Sequence, residues 1–192
     1  MNSARGILLV ISGPSGVGKS TVCRRLVDRL GAFLSVSATT RQPREGEVEG
    51  RDYIFMSRKE FDELVERGGF LEYAEVYGGH RYGTPAEPVE QHLAAGRVAI
   101  LEIEIEGTCQ VVHRYPEAVT VFIMAPSPTE QRNRLAGRRT ESPEAMRERL
   151  AKADREIRQA RETGVYRYFV VNETVEETVE NIIRIVRENE QA

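Results

Sequence analysis

A continuous apolar segment that leads directly into a glycine-rich turn and a helical pattern constrains the beginning of this chain. Residues 7–12 read I-L-L-V-I-S, which is typical of a strand buried on both faces of a parallel sheet. From Lys19 onward the apolar residues recur with helical spacing, and Gly31 ends the pattern. These residues predict a strand, a tight loop and a helix in succession.

The turn itself carries a phosphate-binding pattern. Residues 13–20 read G-P-S-G-V-G-K-S and match G-x-x-x-x-G-K-[ST] between a strand and a helix. Its glycines let backbone N–H groups turn toward phosphate oxygens, and the helix N-terminus adds a favourable dipole. We expect Lys19 to reach the β- and γ-phosphates, Ser20 to hold Mg²⁺ and Thr21 to meet the next phosphate. The predicted ATP-binding residues of this loop are Gly13, Pro14, Ser15, Gly16, Val17, Gly18, Lys19, Ser20 and Thr21.

A second apolar run ends in an acidic residue that fits a magnesium site. The run V-A-I-L-E closes at Glu102, where a carboxylate that acts on the nucleotide-bound metal is expected in phosphate-loop proteins. The alternative is a solvated carboxylate at a strand end. Ser20 and Glu102 are therefore the predicted metal ligands, with Mg²⁺ bound together with ATP as the phosphoryl donor.

The rest of the chain alternates strand and helix patterns. Strand patterns lie at residues 98–103, 119–124 and 168–171, and helix patterns at residues 58–67, at 143–162 and from 175 onward. Ser142 before Pro143 is typical of a helix start, and Thr174 with Glu177 forms a capping box. This alternation predicts an α/β fold with a parallel sheet and right-handed crossovers.

Two segments break the alternation. Residues 35–88 are rich in Gly, Thr, Tyr, Arg and Glu around one amphipathic helix, which indicates an inserted lobe. Residues 126–142 are dense in arginine and poor in apolar residues, which indicates a lid. The predicted core of a single domain over 1–192 comprises residues 1–34, 89–125 and 143–192.

Composition and charge exclude several classes of protein. With 40% hydrophobic and 30% charged residues, and no apolar stretch of about 20 residues, the chain is expected to be soluble and without a membrane span. A net charge of −3 gives no overall attraction to nucleic acid. Cys23 and Cys109 lack the spacing of a disulfide framework or a zinc site. The short polar beginning leaves no room for a signal peptide, so we expect a cytoplasmic protein. The sequence does not determine the oligomeric state, and a homodimer is one of the alternatives.

Several further motifs resemble one family of phosphate-loop kinases. They are S-V-S-A-T-T-R-Q-P-R-E-G-E-V-E-G-R-D-Y-I-F from Ser35, F-L-E-Y-A from Phe70, R-Y-G-T from Arg81, R-L-A-G-R from Arg134 and V-V-N from Val170. Across nearly its whole length the chain is similar to the guanylate kinases. The resemblance implies a three-layer sandwich with a central parallel five-stranded sheet, a small inserted α+β lobe that binds GMP, and a lid. It also implies transfer of the γ-phosphoryl group of ATP to GMP, and to dGMP, in purine nucleotide metabolism.

Four residues of the inserted lobe suit the phosphate of the acceptor. Arg41 and Arg44 offer guanidinium forks, and Tyr53 and Tyr82 offer hydroxyl donors, so that together they can hold and partly neutralise a phosphate dianion. In the family the matching positions bind the GMP phosphate. Taken singly, each of these side chains is more often a surface or packing residue.

Recognition of guanine requires acceptors for its N1–H and amino group and a donor for its O6. Glu72 supplies a carboxylate, and the hydroxyls of Ser37 and Thr84 can serve either role. The family's base contacts match these positions, together with the acidic residue at Glu104. The chain departs from the family pattern here, because Glu104 stands where Asp is usual and Glu106 where Gln is usual. The extra methylene of Glu104 leaves the discrimination against other purines open.

Catalysis is expected to be electrostatic. A phosphate acceptor has a second pKa of about 6 and is already an anion near pH 7, so no general base is required. Arg134 and Arg138 of the lid, and Arg149 on the following helix, match family arginines that contact nucleotide phosphates, with Arg149 assigned to GMP. Asn172 matches a position near the adenine of ATP. The predicted catalytic residues are Lys19, Arg41, Arg134, Arg138 and Arg149.

Two other functions are compatible with parts of this pattern. One is a kinase of another nucleoside monophosphate or phosphorylated acceptor. The other is a guanylate-kinase-like binding module without catalysis, a class whose members typically lack an intact phosphate loop. Lys19 and Ser20 are both present here, which favours the enzyme.

Overall fold

The computed structural model describes residues 6–76, 78–136 and 143–190 and forms strands and helices in alternation over much of that length. The strands are β1 Leu8–Ser12, β2 Phe33–Leu34, β3 Ala38–Thr39, β4 Ile54–Phe55, β5 Phe70–Val76, β6 His80–Pro85, β7 Ala99–Glu102, β8 Val119–Met124 and β9 Tyr168–Val171. The helices are α1 Lys19–Leu30, α2 Arg58–Glu66, α3 Ala86–Ala94, α4 Ile105–Arg114, α5 Pro128–Ala136, α6 Pro143–Thr163 and α7 Val175–Glu190.

The central sheet has five parallel strands in the order β2-β7-β1-β8-β9. This confirms the predicted α/β class with its central parallel sheet. β1 lies in the middle, so the loop that follows it opens at the carboxyl edge of the sheet between β7 and β8. That edge is where α/β proteins bind ligands.

Helices cover both faces of this sheet and explain the continuous apolar run of β1. Leu9 and Ile11 belong to the hydrophobic cluster that includes Val22 of α1 and Ile182 of α7. Alternate residues of the strand, such as Val10, belong to the opposite cluster with α3 and α4. Side chains alternate across a strand, so a strand covered on both faces is apolar at every position. Each fully buried Leu or Ile contributes roughly 1.5–3 kcal/mol.

A second sheet of four strands, in the order β4-β3-β6-β5, forms a separate layer with α2. Here β3 pairs with β4 in parallel and with β6 antiparallel, and β5 pairs with β6 antiparallel. Its small core contains Ala38, Phe61 and Phe70, with the rings of Phe61 and Phe70 stacked at 4.3 Å. Ser57 caps α2 in a capping box with Glu60, which explains where this helix begins.

The strands of the second sheet all lie between Ala38 and Pro85, and α3 follows at Ala86. Val89 and Leu93 of α3 pack against the central sheet. By its packing α3 therefore belongs to the core, although the predicted lobe of residues 35–88 includes its first turn. These domain boundaries stay predictions.

The C-terminal helices agree with their sequence patterns. α6 runs to Thr163, one residue beyond its predicted end, and Thr174 caps α7 by accepting the Glu177 N–H at 3.2 Å. Ser142, the predicted cap of α6, lies outside the described residues, as does part of the predicted lid at 126–142. Among the helices in the described ranges, none combines the length and the apolar character that a membrane crossing requires.

Candidate active site

The phosphate loop wraps around the N-terminus of α1, and its shape depends on glycine. A Cβ on Gly13 would lie 2.3 Å from the carbonyl oxygen of Ile123 in the neighbouring strand β8. Gly16 has a φ of +85°, and a Cβ there would lie 2.7 Å from Leu135 of α5. Both positions therefore exclude larger residues. The loop is held between the central sheet and the helix that begins the predicted lid.

Lys19, the first residue of α1, folds back over the loop. Its Nζ donates to the carbonyl oxygens of Gly13 at 2.5 Å and Pro14 at 3.2 Å. The ammonium group is thus placed on the concave side of a loop whose N–H groups and helix dipole attract anions. This is the position from which it can contact a bound phosphate chain.

Ser20 and Glu102, the two predicted metal ligands, meet at the carboxyl ends of β1 and β7. The Ser20 hydroxyl donates to Oε1 of Glu102 at 2.8 Å. Cys23 lies beside the same carboxylate, and burial, followed by the charge of Glu102, raises the pKa of its thiol. One hydroxyl and one carboxylate are hard oxygen donors of the kind that Mg²⁺ accepts when phosphates and water complete its shell. The residues therefore fit the ion.

Side chains from distant parts of the chain donate hydrogen bonds to backbone carbonyls of the phosphate loop. Nδ2 of Asn172 donates to the Val17 carbonyl at 2.7 Å, and its Oδ1 accepts from the Thr178 hydroxyl at 2.9 Å. Gln131 of α5 donates to the Ser15 carbonyl at 3.1 Å. Asn172 is only 2% exposed, and the hydrogen bonds observed for its side-chain amide support the loop. Its contact with adenine stays a prediction.

The four residues predicted to bind the acceptor phosphate lie together on the second sheet and the loop after β3. Nε of Arg41 donates to the Tyr82 hydroxyl at 3.0 Å. The Arg41 guanidinium lies 5.3 Å from the ring centre of Tyr53, and the rings of Tyr53 and Tyr82 are 5.7 Å apart. The side chain of Arg44 is exposed on the same loop. Glu47, which the sequence interpretation missed, forms a two-bond ion pair with Arg41 at 2.8 and 2.9 Å.

Two of the predicted base-binding residues face each other across β5 and β6. Glu72 and Thr84 are register partners, and the Thr84 hydroxyl donates to Oε1 of Glu72 at 2.6 Å. Oε2 of Glu72 lies against α4, where a Cβ on Gly107 would be 2.7 Å away. Burial raises the pKa of the Glu72 carboxyl, although the Thr84 hydrogen bonds oppose this.

The remaining predicted base contacts flank this pair. Ser37 is half-buried just before β3, and Glu104 is the exposed residue that precedes α4. The structure does not join either side chain directly to the Glu72–Thr84 pair among the described hydrogen bonds. Glu156 of α6 was missed by the sequence interpretation. Burial and then the charge of Glu104 raise the pKa of its carboxyl, and Ile157 and Ala160 of the same helix pack with Ile105 at the start of α4.

Of the three arginines predicted to contact nucleotide phosphates, in the lid and on the following helix, the structure describes Arg134 and Arg149. Arg134 donates to Oε1 of Glu130 at 3.0 Å and to the Glu173 carbonyl at 3.3 Å. Arg149 is half-buried on α6. Arg138 lies outside the described residues. Their roles in catalysis stay predictions.

Comparison with known proteins agrees with this arrangement. The family model described as guanylate kinase matches residues 5–189. The chain is 50% identical over 184 residues to a guanylate kinase of Rubrobacter xylanophilus, covering 95% of this chain and 94% of the relative. It is 47% identical over 186 residues to a guanylate kinase of Thermus thermophilus, covering 97% and 82%. The crystal structure of guanylate kinase from Anaplasma phagocytophilum superposes with a TM-score of 0.77 at 36% identity, covering 100% of this chain and 90% of that one. The chain belongs to the guanylate kinase family.

Proposed function

We propose that this protein transfers the γ-phosphoryl group of ATP to the phosphate of GMP, and of dGMP, giving ADP and the corresponding diphosphate. The observation that carries the proposal is the convergence of two sites on one short segment. Glu102 at the end of β7 accepts from Ser20 of the phosphate loop, and a Cβ on Gly107 in the first turn of α4 would lie 2.7 Å from the Glu72 carboxylate. Five residues span at most about 18 Å when fully extended, so donor and acceptor residues lie near each other.

The chain's own residues account for the electrostatic part of the reaction. Two anionic nucleotides repel each other, and cations at both phosphates are needed to bring them together. Lys19 supplies the charge on the donor side, and Arg41 and Arg44 supply it on the acceptor side. The acceptor phosphate is a nucleophile without proton removal near pH 7. Arg134, Arg138 and Arg149 are proposed to add positive charge at the transferred group.

Mg²⁺ is the proposed cofactor, with Ser20 and Glu102 as the residues that would hold it. When bound, the ion would neutralise part of the negative charge of the phosphate chain. The proposed GMP-binding residues are Ser37, Arg41, Arg44, Tyr53, Glu72, Tyr82, Thr84, Glu104 and Arg149. Because Glu72 presents a carboxylate inside the lobe, it favours a base that offers N–H donors, as guanine does.

A coupled assay of ADP release with GMP, dGMP, AMP, CMP and UMP tests the proposal. We expect GMP to have the highest kcat/KM, and Lys19→Ala to lower kcat by about a hundredfold to a thousandfold because a charge on the phosphates is lost. Lys59→Ala is the matched control, since Lys59 lies on α2 with a side chain 86% exposed. AMP exceeding GMP would overturn the acceptor assignment, and a wild-type protein without transfer would favour the binding-module interpretation.

A further inference from the structure

A tight turn in the loop after β3, residues 40–53, returns an acidic side chain toward the arginines that precede it. The turn spans Arg44 to Glu47 and is closed by the Glu47 N–H, which donates to the Arg44 carbonyl at 3.1 Å. Gly46, at the third position, has a φ of +85°, which fits a type II turn and is a conformation that favours glycine. The backbone therefore determines where the Glu47 carboxylate lies.

The Glu47 carboxylate accepts hydrogen bonds from two arginines of this loop. Its two oxygens accept from Nη1 and Nη2 of Arg41 at 2.9 and 2.8 Å, and Oε2 also accepts the backbone N–H of Arg44 at 2.7 Å. The Arg41 and Glu47 side chains are only 11% and 20% exposed, so this is not an ordinary surface ion pair. The hydrogen bonds from Arg41, and then that from Arg44, lower the pKa of Glu47.

The contacts of Arg41 restrict the orientation of its guanidinium group. Four of its five N–H donors have acceptors among the described residues: the Tyr82 hydroxyl, the Gln42 carbonyl and the two Glu47 oxygens. The ring of Tyr53 lies on one side of the group. One N–H of Nη2 is left for an oxygen from outside, in a direction that Glu47 determines.

We propose that Glu47 is a positioning residue, which holds the Arg41 guanidinium in the orientation needed to bind the phosphate of the acceptor nucleotide. The inference rests on the proposed function, in which Arg41 contacts that phosphate. A preorganised arginine loses less side-chain freedom on binding than one that must be ordered by the ligand.

The sign of the effect separates positioning from simple electrostatics. Glu47 is negative and close to Arg41, so by charge alone its removal strengthens attraction for a phosphate dianion. Loss of positioning acts in the opposite direction. Weaker binding of GMP after neutralisation of Glu47 therefore points to the lost orientation of Arg41.

The experiment measures equilibrium binding of GMP and of guanosine to Glu47→Gln. We expect the dissociation constant of GMP to rise about tenfold or more, and that of guanosine, which lacks the phosphate, to change less than about twofold. In kinetics the KM for GMP should rise while the KM for ATP stays constant. Glu45→Gln is the matched control, because it removes the same charge from the same loop and Glu45 is exposed.

A double-mutant cycle checks that Glu47 acts through Arg41. In an Arg41→Gln background, Glu47→Gln should weaken GMP binding by less than about twofold, since no guanidinium remains to be oriented. Unchanged or tighter GMP binding by Glu47→Gln, an equal loss for guanosine, or full additivity in the cycle would each overturn the inference. An active wild-type enzyme with any of these results leaves the proposed function intact, whereas inactive wild type contradicts that function itself.

Discussion

At the scale of one residue, the buried Glu72 shows that a side chain proposed to bind the acceptor can lower the stability of the fold. Its side chain is almost fully buried, and the neutral form is favoured by burial, as the raised pKa indicates. The Thr84 hydroxyl offsets part of this penalty. Sequence reasoning identified both residues but not their contact, because they are twelve positions apart and only the pairing of β5 with β6 brings them together. Gly107, which leaves room for the carboxylate, had no recognisable signal.

Glu72→Gln should stabilise the protein without nucleotide and impair its function. A folded-state pKa above the ordinary 4.5 means that the group contributes stability below pH 4.5, and that this contribution is lost as the pH rises through the folded value. As the pH rises above 4.5, the unfolding free energy of the wild type should therefore fall relative to that of Glu72→Gln, as urea denaturation can measure. The dissociation constant of GMP should rise roughly tenfold to a hundredfold with the loss of a charged acceptor.

Glu66→Gln serves as the control for this comparison, because Glu66 is exposed at the end of α2 in the same lobe. Its stability difference from the wild type should not follow the same pH dependence. If Glu72→Gln lost stability relative to the wild type as the pH rose, the assigned effect of burial would be wrong.

At the scale of elements, the junction between β9 and α7 shows how a strand-to-helix connection supports the phosphate loop. Both elements agree with their sequence patterns, and Thr174 caps the helix as predicted. Between them Asn172 spans from the Val17 carbonyl to the Thr178 hydroxyl. The Val17 contact joins residues 155 positions apart, so local pattern could not indicate it.

Asn172→Asp tests this support with almost no change of volume. The aspartate keeps an acceptor for Thr178 but has no donor for the Val17 carbonyl, which is then buried without its partner. We expect a loss of about 1–3 kcal/mol in unfolding free energy. The KM for ATP should rise several-fold while the KM for GMP stays constant.

Asn181→Asp is the control, since Asn181 lies on α7 and accepts only from the Arg184 side chain among the described contacts. Equal increases in the KM values for ATP and GMP would indicate general destabilisation in place of a role at the loop.

At the scale of the whole molecule, α4 connects the central sheet to the second sheet. Gln110 continues the hydrogen-bonding pattern of β5, because its side-chain amide accepts the Tyr73 N–H at 3.1 Å and donates to the Tyr73 carbonyl at 3.0 Å. Arg114, one turn later, donates to the Phe70 carbonyl at 3.1 Å. The same helix begins three residues after Glu102, which accepts from Ser20, so it links the second sheet to the phosphate loop.

Gln110→Ala should loosen that connection. Hydrogen exchange at the Tyr73 amide should become faster, and the unfolding free energy should fall by about 1 kcal/mol. The dissociation constant of GMP should rise roughly threefold, since binding must then order the lobe, whereas ATP binding should not change.

Gln91→Ala is the matched control, because the Gln91 amide contacts only Glu87 within α3 among the described hydrogen bonds. Unchanged exchange at Tyr73 in Gln110→Ala would show that other contacts carry the connection.

Local sequence was sufficient to predict β1, the phosphate loop and α1, because their signals are patterns among neighbouring residues. These signals are a continuous apolar run, a glycine-rich motif and helical periodicity. The sequence also predicted an inserted lobe and a lid, whose boundaries stay predictions, and, through family resemblance, most candidate site residues. Ser20 and Glu102 were predicted to meet at one metal ion, and they do. Tertiary structure alone decided the direct contacts of Glu72 with Thr84 and of Arg41 with the unanticipated Glu47. Sheet register and turn geometry place these side chains. Both depend on the surrounding chain, so the identity of the placed residue does not reveal its partner.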